Sequence, residues 1–168
     1  MIQIRKMLKA DAEAYRDLRL RALKTNPEAF GSAYEDSREH DLEFFRGRIP
    51  EPNSDSVIFV AEDNGQLMGM IGLLRPEQQK MRHRAMIWGV FVDPQARGNG
   101  LGRQLMDAMM THIHQIDGLR HVSLTVVTTN TIALKLYQSY GFNVWGTEPE
   151  ALFVDGRYYD EYYMNLRL

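Results

Sequence analysis

The chain contains no cysteine. That absence excludes disulfide frameworks, cysteine nucleophiles and thiolate zinc sites together. It accords with a reducing compartment. Long apolar runs are missing as well: no stretch approaches the roughly 18 residues that cross a bilayer. Met1-Ile2-Gln3-Ile4-Arg5-Lys6 has no apolar segment behind its charges, so no secretory leader is expected. The expected location is the cytoplasm, with no membrane partner. A charge excess is also absent: 20 Lys and Arg stand against 22 Asp and Glu, a net charge of -2. Neutralising nucleic-acid phosphates needs a basic excess, so no nucleic-acid partner is expected.

What is present reads as one globular domain. The hydrophobic fraction is 44% over 168 residues. That is too apolar for intrinsic disorder, and long enough for a self-sufficient core. The expected organisation is a single domain over residues 1–168.

Hydrophobic spacing predicts the elements. Ile2, Ile4 and Leu8 read as a first strand. A helix capped by Asp11 runs to about Thr25, with Tyr15, Leu18 and Ala22 inward. Residues 29–34 form a loop with exposed aromatics, and a second helix covers Ser37 to Arg48. Strands follow at Val57–Ala61 and Leu67–Leu74, joined by an Asn64-Gly65 hairpin turn. Met86–Val92 is almost wholly apolar, as befits a central strand covered on both faces. Leu101–Ile116 is the clearest helix, with apolar residues at the 3.6 period and Gly118 beyond it. A strand at His121–Val127, a helix at Ile132–Tyr140, a strand starting at Asn143–Trp145 and a last strand at Tyr158–Leu168 complete the chain. The order β-α-α-β-β-β-α-β-α-β-β predicts a mixed sheet with helices on it, on the borderline of the α/β and α+β classes.

The segment Gln95-Ala96-Arg97-Gly98-Asn99-Gly100-Leu101-Gly102-Arg103 joins the central strand to the strongest helix. Glycines let backbone N–H groups approach a ligand, and a helix N-terminus adds unpaired donors and positive dipole. Arg97 and Arg103 flank the glycines with no acid between. The expected ligand is a phosphate or pyrophosphate; the competing reading is a tight structural turn. The nucleotide P-loop pattern fails for want of Lys-Ser/Thr, and the dinucleotide fingerprint fails because Arg103 occupies its third glycine position.

Gln95-x-x-Gly98-x-Gly100, led in by Val92-Asp93-Pro94, resembles the pyrophosphate motif of the GNAT superfamily of N-acetyltransferases. Asn130-x-x-Ala133-x-x-Leu136-Tyr137-x-x-Tyr140-Gly141-Phe142 is similar to that superfamily's second signature. The resemblance implies a mostly antiparallel, twisted sheet of about seven strands with helices on both faces. Its central parallel pair splays to admit the pantetheine arm of acetyl-CoA. It implies cofactor contacts along Phe91 and Val92 and along the loop Gln95, Ala96, Arg97, Gly98, Asn99, Gly100, Leu101, Gly102 and Arg103. Asn130, Ala133, Lys135 and Tyr137 complete that set. Tyr137 corresponds to the tyrosine that protonates the departing thiolate, and the Val92 N–H, or a neighbour's, to the donor on the thioester carbonyl.

The implied reaction is direct acetyl transfer to a primary amine, a small cationic or amino-acid-like acceptor being favoured. A peptide N-terminus or lysine is the alternative acceptor, and a non-catalytic acyl-CoA sensor the alternative class. Many relatives carry a glutamate on the central strand; here residues 86–92 hold no acid. An alkylamine of pKa about 10.4 is almost wholly protonated at pH 7, so a proton acceptor is required. Glu35, His83, Asp160, Glu161 and a water chain are the candidates. Asp160 and Glu161, in an unusually aromatic C-terminal strand, stand with Phe30, Tyr34, Glu35 and Trp88 as expected acceptor-site residues. The same strand is equally readable as a packed sheet edge or a homodimer contact. His112 and His114, two apart on a helix, face different ways, so no metal site is expected.

Overall fold

The computed structural model describes residues 1–168. Strand β1 (Gln3–Lys6) is followed by helices α1 (Ala12–Thr25), α2 (Tyr34–Arg38) and α3 (Leu42–Arg48). Strands β2 (Val57–Asp63), β3 (Gln66–Leu74) and β4 (Arg84–Val92) come next. Helix α4 (Leu101–Ile113), strand β5 (His121–Val127) and helix α5 (Thr131–Ser139) precede the closing hairpin of β6 (Asn143–Val154) and β7 (Arg157–Arg167). All seven strands form one sheet in the order β1-β2-β3-β4-β5-β7-β6. Every neighbouring pair is antiparallel except β4 and β5.

Side-chain alternation along the buried strands produces a core on each face. On β2, Val57, Phe59 and Ala61 join Leu101, Leu105, Met109 and Ile113 of α4. Ile58 and Val60 point the other way, to Tyr15, Leu18 and Ala22 of α1 and Phe45 of α3. The sequence-derived stripe of α1 is thus its buried face.

Several local expectations need correction. Asp11 does not cap α1: its carboxylate accepts the Leu8 N–H at 2.7 Å and pairs with Arg5 at 2.7 and 2.9 Å. The helix expected over Ser37–Arg48 is two helices. The Asp41 side chain accepts the Phe44 N–H at 2.9 Å and so starts α3 afresh. Phe30 is buried rather than exposed, its ring 6.5 Å from that of Phe91. Helix α4 ends at Ile113, three residues early, and β6 continues well past Trp145. The Asn64-Gly65 hairpin turn is as the sequence indicates, with positive φ at both residues, and Asp155-Gly156, also at positive φ, turns the closing hairpin.

Candidate active site

β4 and β5 pair only at their starts, Arg84 with His121, Ala85 with Val122 and Met86 with Ser123. Beyond Met86 the two strands separate. The gap is a cavity of about 560 Å³, walled by Ile87 to Val90 on one side and Leu124 to Val127 on the other.

A bulge in β4 helps to make the gap. Met70 faces Phe91 while Gly72 faces Trp88, so Gly89 and Val90 together oppose Ile71. Gly89 takes φ of 64°, a left-handed conformation that glycine adopts without a Cβ penalty. A lone glycine within an apolar strand was the sequence signal for this bulge. Its consequence is an exposed amide edge. The Asp93 N–H donates to Met68 O, so by antiparallel alternation Phe91 bonds β3 and Val92 turns its N–H toward the gap. Val92 O, on that same edge, accepts Arg97 Nε at 2.9 Å. Val92 therefore presents its backbone on the open edge of β4. Phe91 does not, since its backbone faces β3 and its ring is in the core.

The glycine loop is more selective than expected. The Gln95 N–H donates to Asp93 Oδ1, Ala96 N–H to Asp93 O and Arg97 N–H to Pro94 O, so these three amides are already used. The side chains of Ala96 and Leu101 are buried. The six consecutive amides from Gly98 to Arg103 find no protein partner. Gly98 (φ 83°) and Gly100 (φ 71°) impose the path, and open space surrounds both. Gly100 caps α4 without any side-chain hydrogen bond. The result is a row of free donors at a helix N-terminus, the arrangement that binds an anion. Arg97 also donates to Asn26 Oδ1 at 2.6 Å, so it braces the loop. Arg103 lies over the Tyr140 ring, and Lys135 is exposed on α5.

On the β5 side, Asn130 caps α5 through Oδ1, which accepts the Ala133 N–H at 3.1 Å. Both residues border the cavity, as does Tyr137. Tyr137 is only 5% exposed, and its ring packs edge-on to Phe142. Its hydroxyl has no hydrogen-bond partner in the protein and is not among the fully enclosed polar atoms. Burial pushes its pKa well above the usual phenol value, so it stays protonated.

Of the four candidate bases only Glu161 borders the cavity. Desolvation raises its pKa, and Glu148 opposite it on β6 adds to the effect. Glu35 is exposed on α2. Asp160 points away and accepts the Glu150 N–H at 2.8 Å. His83 lines a neighbouring depression with His121 and Trp145. Among the expected acceptor-site residues, Phe30 and Trp88 border the cavity. Tyr34 does not; it packs against the α1 side of the core beneath Lys24.

Two charged cavity residues escaped sequence reasoning, Arg19 and Arg48. Arg19 lies between Leu18 and Ala22, beside the buried stripe of α1, and is 8% exposed. An arginine at the margin of an apolar stripe was the available signal. Its guanidinium lies 4.7 Å from the Phe30 ring centre, and Arg48 lies 5.3 Å from that of Trp88.

A splayed parallel pair and a free-amide loop at a helix start are the arrangement that the resemblance to the GNAT superfamily implies. The family comparison agrees: residues 13–142 match the Acetyltransferase (GNAT) family. The chain belongs to that family, whose members use acetyl-CoA. A mycothiol acetyltransferase of Thermobispora bispora is 35% identical over 138 residues, 80% of this chain and 44% of that protein. The L-amino acid N-acetyltransferase AaaT of Escherichia coli is 30% identical over 105 residues, 62% of this chain and 64% of that protein. The chain thus spans less than two thirds of these relatives. The structure of a GCN5-related N-acetyltransferase from Kribbella flavida superimposes with a TM-score of 0.81 at 30% identity, covering 99% of this chain and 98% of that one. No helix is long and apolar enough to cross a membrane.

Proposed function

We propose that this chain transfers the acetyl group of acetyl-CoA to the primary amine of a small molecule, directly and without a covalent enzyme intermediate. The observation that carries this reading is a sequence of three features along one path: the Tyr137 hydroxyl at the cavity between β4 and β5, a free strand edge at Val92 where β4 ends, and six unpartnered amides from Gly98 to Arg103 in the loop that follows. The loop amides suit the pyrophosphate. Strand edges that have lost each other as partners suit the amide-bearing pantetheine arm, lying between them as an added strand. Bound there, acetyl-CoA supplies an activated thioester carbonyl.

The protein's own groups do the rest. The Val92 N–H donates to the carbonyl oxygen as negative charge develops on it. Glu161, with its raised pKa, takes the proton of the ammonium acceptor, directly or through water. Tyr137, kept protonated by burial, delivers a proton to the departing sulfur. Asn130 shapes the cavity wall by fixing the start of α5. The absence of cysteine accords with direct transfer. The named relatives, one for mycothiol and one for L-amino acids, favour a small-molecule acceptor over a protein.

The test is release of CoA from acetyl-CoA, read with a thiol reagent across pools of amino acids, polyamines, aminoglycosides and short peptides. The chain has no thiol of its own, so protein background is zero. Stimulation by one pool is the expected result. Absence of acetyl-CoA binding overturns the reading.

A further inference from the structure

Arg19 is a buried cation without an anion. Its Nη1 is fully enclosed and has no hydrogen-bond partner. Neither Arg19 nor Arg48 enters an ion pair. Burial lowers the Arg19 pKa; Tyr15 opposes this and Arg48 adds a smaller push in the same downward direction. A desolvated guanidinium beside a second one is unfavourable unless something compensates it. The Phe30 ring face compensates in part. The hydrogen-bonding edge remains unmet.

The position of that edge is informative. Nη1 lies 3.9 Å from the point where a side chain on Gly89 would begin, so it sits at the β4 bulge. The same bulge sets the amide edge proposed to meet the thioester. Arg48 approaches from α3, over Trp88, on the border of the same cavity. A ligand anion at Arg19 is therefore held at the bulge, three residues before Val92 on the same strand and roughly 10 Å from it along the strand.

We propose that the acceptor is a free α-amino acid whose carboxylate is bound by Arg19, with Arg48 as the second cation. This inference rests on the acetyltransferase reading and narrows its acceptor. An α-amino acid places the amine on the carbon that bears the carboxylate, so the Arg19 contact, the acid itself and the acetyl group lie in sequence along β4 from Gly89 toward Val92. A peptide N-terminus lacks a carboxylate there, and a polyamine lacks one altogether. Phe30 and Trp88 favour an apolar side chain on the acceptor. In the transfer the amine nitrogen forms the bond to the acetyl carbon and the carbon–sulfur bond breaks. Two protons leave the nitrogen through Glu161 or water, one before the attack and one as the amide forms. Tyr137 protonates the sulfur and is reprotonated by solvent. The products are the N-acetyl amino acid, CoA and one proton.

The experiment compares matched triples with the wild-type protein: leucine, leucinamide and 3-methylbutylamine first, then other apolar sets. The amide's amine is less basic than the acid's, so a larger fraction is neutral; any preference for the acid reports binding. The expected result is a kcat/KM for the acid roughly 10- to 100-fold above the amide and the amine, the range of a charge-assisted hydrogen bond. Arg19→Gln should close that gap through KM, while Arg19→Lys retains part of it. Calorimetric binding of acetyl-CoA to each variant shows whether the fold and donor site survive. Equal turnover of acid, amide and amine overturns the carboxylate assignment and leaves the acetyltransferase reading intact. Acetyl-CoA binding with no turnover of any α-amino acid also overturns it. Failure to bind acetyl-CoA overturns the reading beneath it.

Discussion

At the scale of single residues, environment rather than identity decides role. Tyr137 and Tyr140 stand three apart, yet only Tyr137 turns a free hydroxyl to the cavity; Tyr140 spends its own on Asp107 and Arg103 O. Tyr137→Phe should lower kcat roughly 10- to 10⁴-fold while acetyl-CoA affinity, read by calorimetry, stays near wild type. An unchanged kcat removes Tyr137 from the chemistry. Glu161 makes a prediction in pH. A raised pKa means that the carboxylate form, the competent base, appears at higher pH than in a solvated glutamate. The acid limb of kcat/KM should therefore lie higher than that of a solvated glutamate, and vanish in Glu161→Gln along with most of the rate. An identical acid limb in the variant would assign it to the acceptor amine instead. Asp11 shows the opposite sign. Arg5 holds its pKa below 3.8, so its contribution to stability is present above that pH and lost as pH falls through the depressed value. Asp11→Asn should lower stability at pH 7 by about 1 kcal/mol and shrink the difference in acid, as thermal melts would record.

At the scale of elements, the glycine loop does its work through backbone. A Cβ on Gly100 would meet nothing, so Gly100→Val acts through the left-handed φ and through bulk placed among the free amides. The expectation is loss of acetyl-CoA binding by 100-fold or more with a modest fall in Tm, about 1–2 kcal/mol of strain. Retained affinity would sink the assignment of this loop. This element was legible in the sequence because its chemistry is local: glycine spacing, flanking arginines and the following helix are consecutive. So were the Asn64-Gly65 hairpin turn and the buried stripe of α1. The acceptor side was not legible. Arg19, Arg48, Phe30 and Trp88 lie on four separate segments, and only the tertiary fold brings them to one cavity. Asp160 and Glu161 illustrate the limit. Alternation puts them on opposite faces, but which face meets the cavity depends on the register of β7 against β5, where Val127 pairs with Glu161. The break at Asp41 was missed because a helix restart depends on one cap, which overrode a continuous-looking amphipathic run.

At the scale of the whole molecule, the sheet is two halves joined by a short seam. β1 to β4 form one antiparallel unit and β5 to β7 another, and only three residue pairs of β4 and β5 connect them through the sheet. The core between the sheet and α4 and α5 carries the remaining connection, with Ile87 of β4 and Val126 of β5 in the same cluster. A ligand inserted as an extra strand would supply the missing pairing, so its binding energy adds to the cohesion of the halves. At 100 times its Kd such a ligand contributes about 2.7 kcal/mol. For a chain of this size that is a rise in Tm of roughly 5–10 °C. The same argument locates the effect. Hydrogen exchange should slow at the free edge around Val92 and along Leu124–Val127, as well as at Gly98–Arg103. Protection confined to the glycine loop would mean that the anion end binds while the gap stays open, and the added-strand account of the cavity would fall.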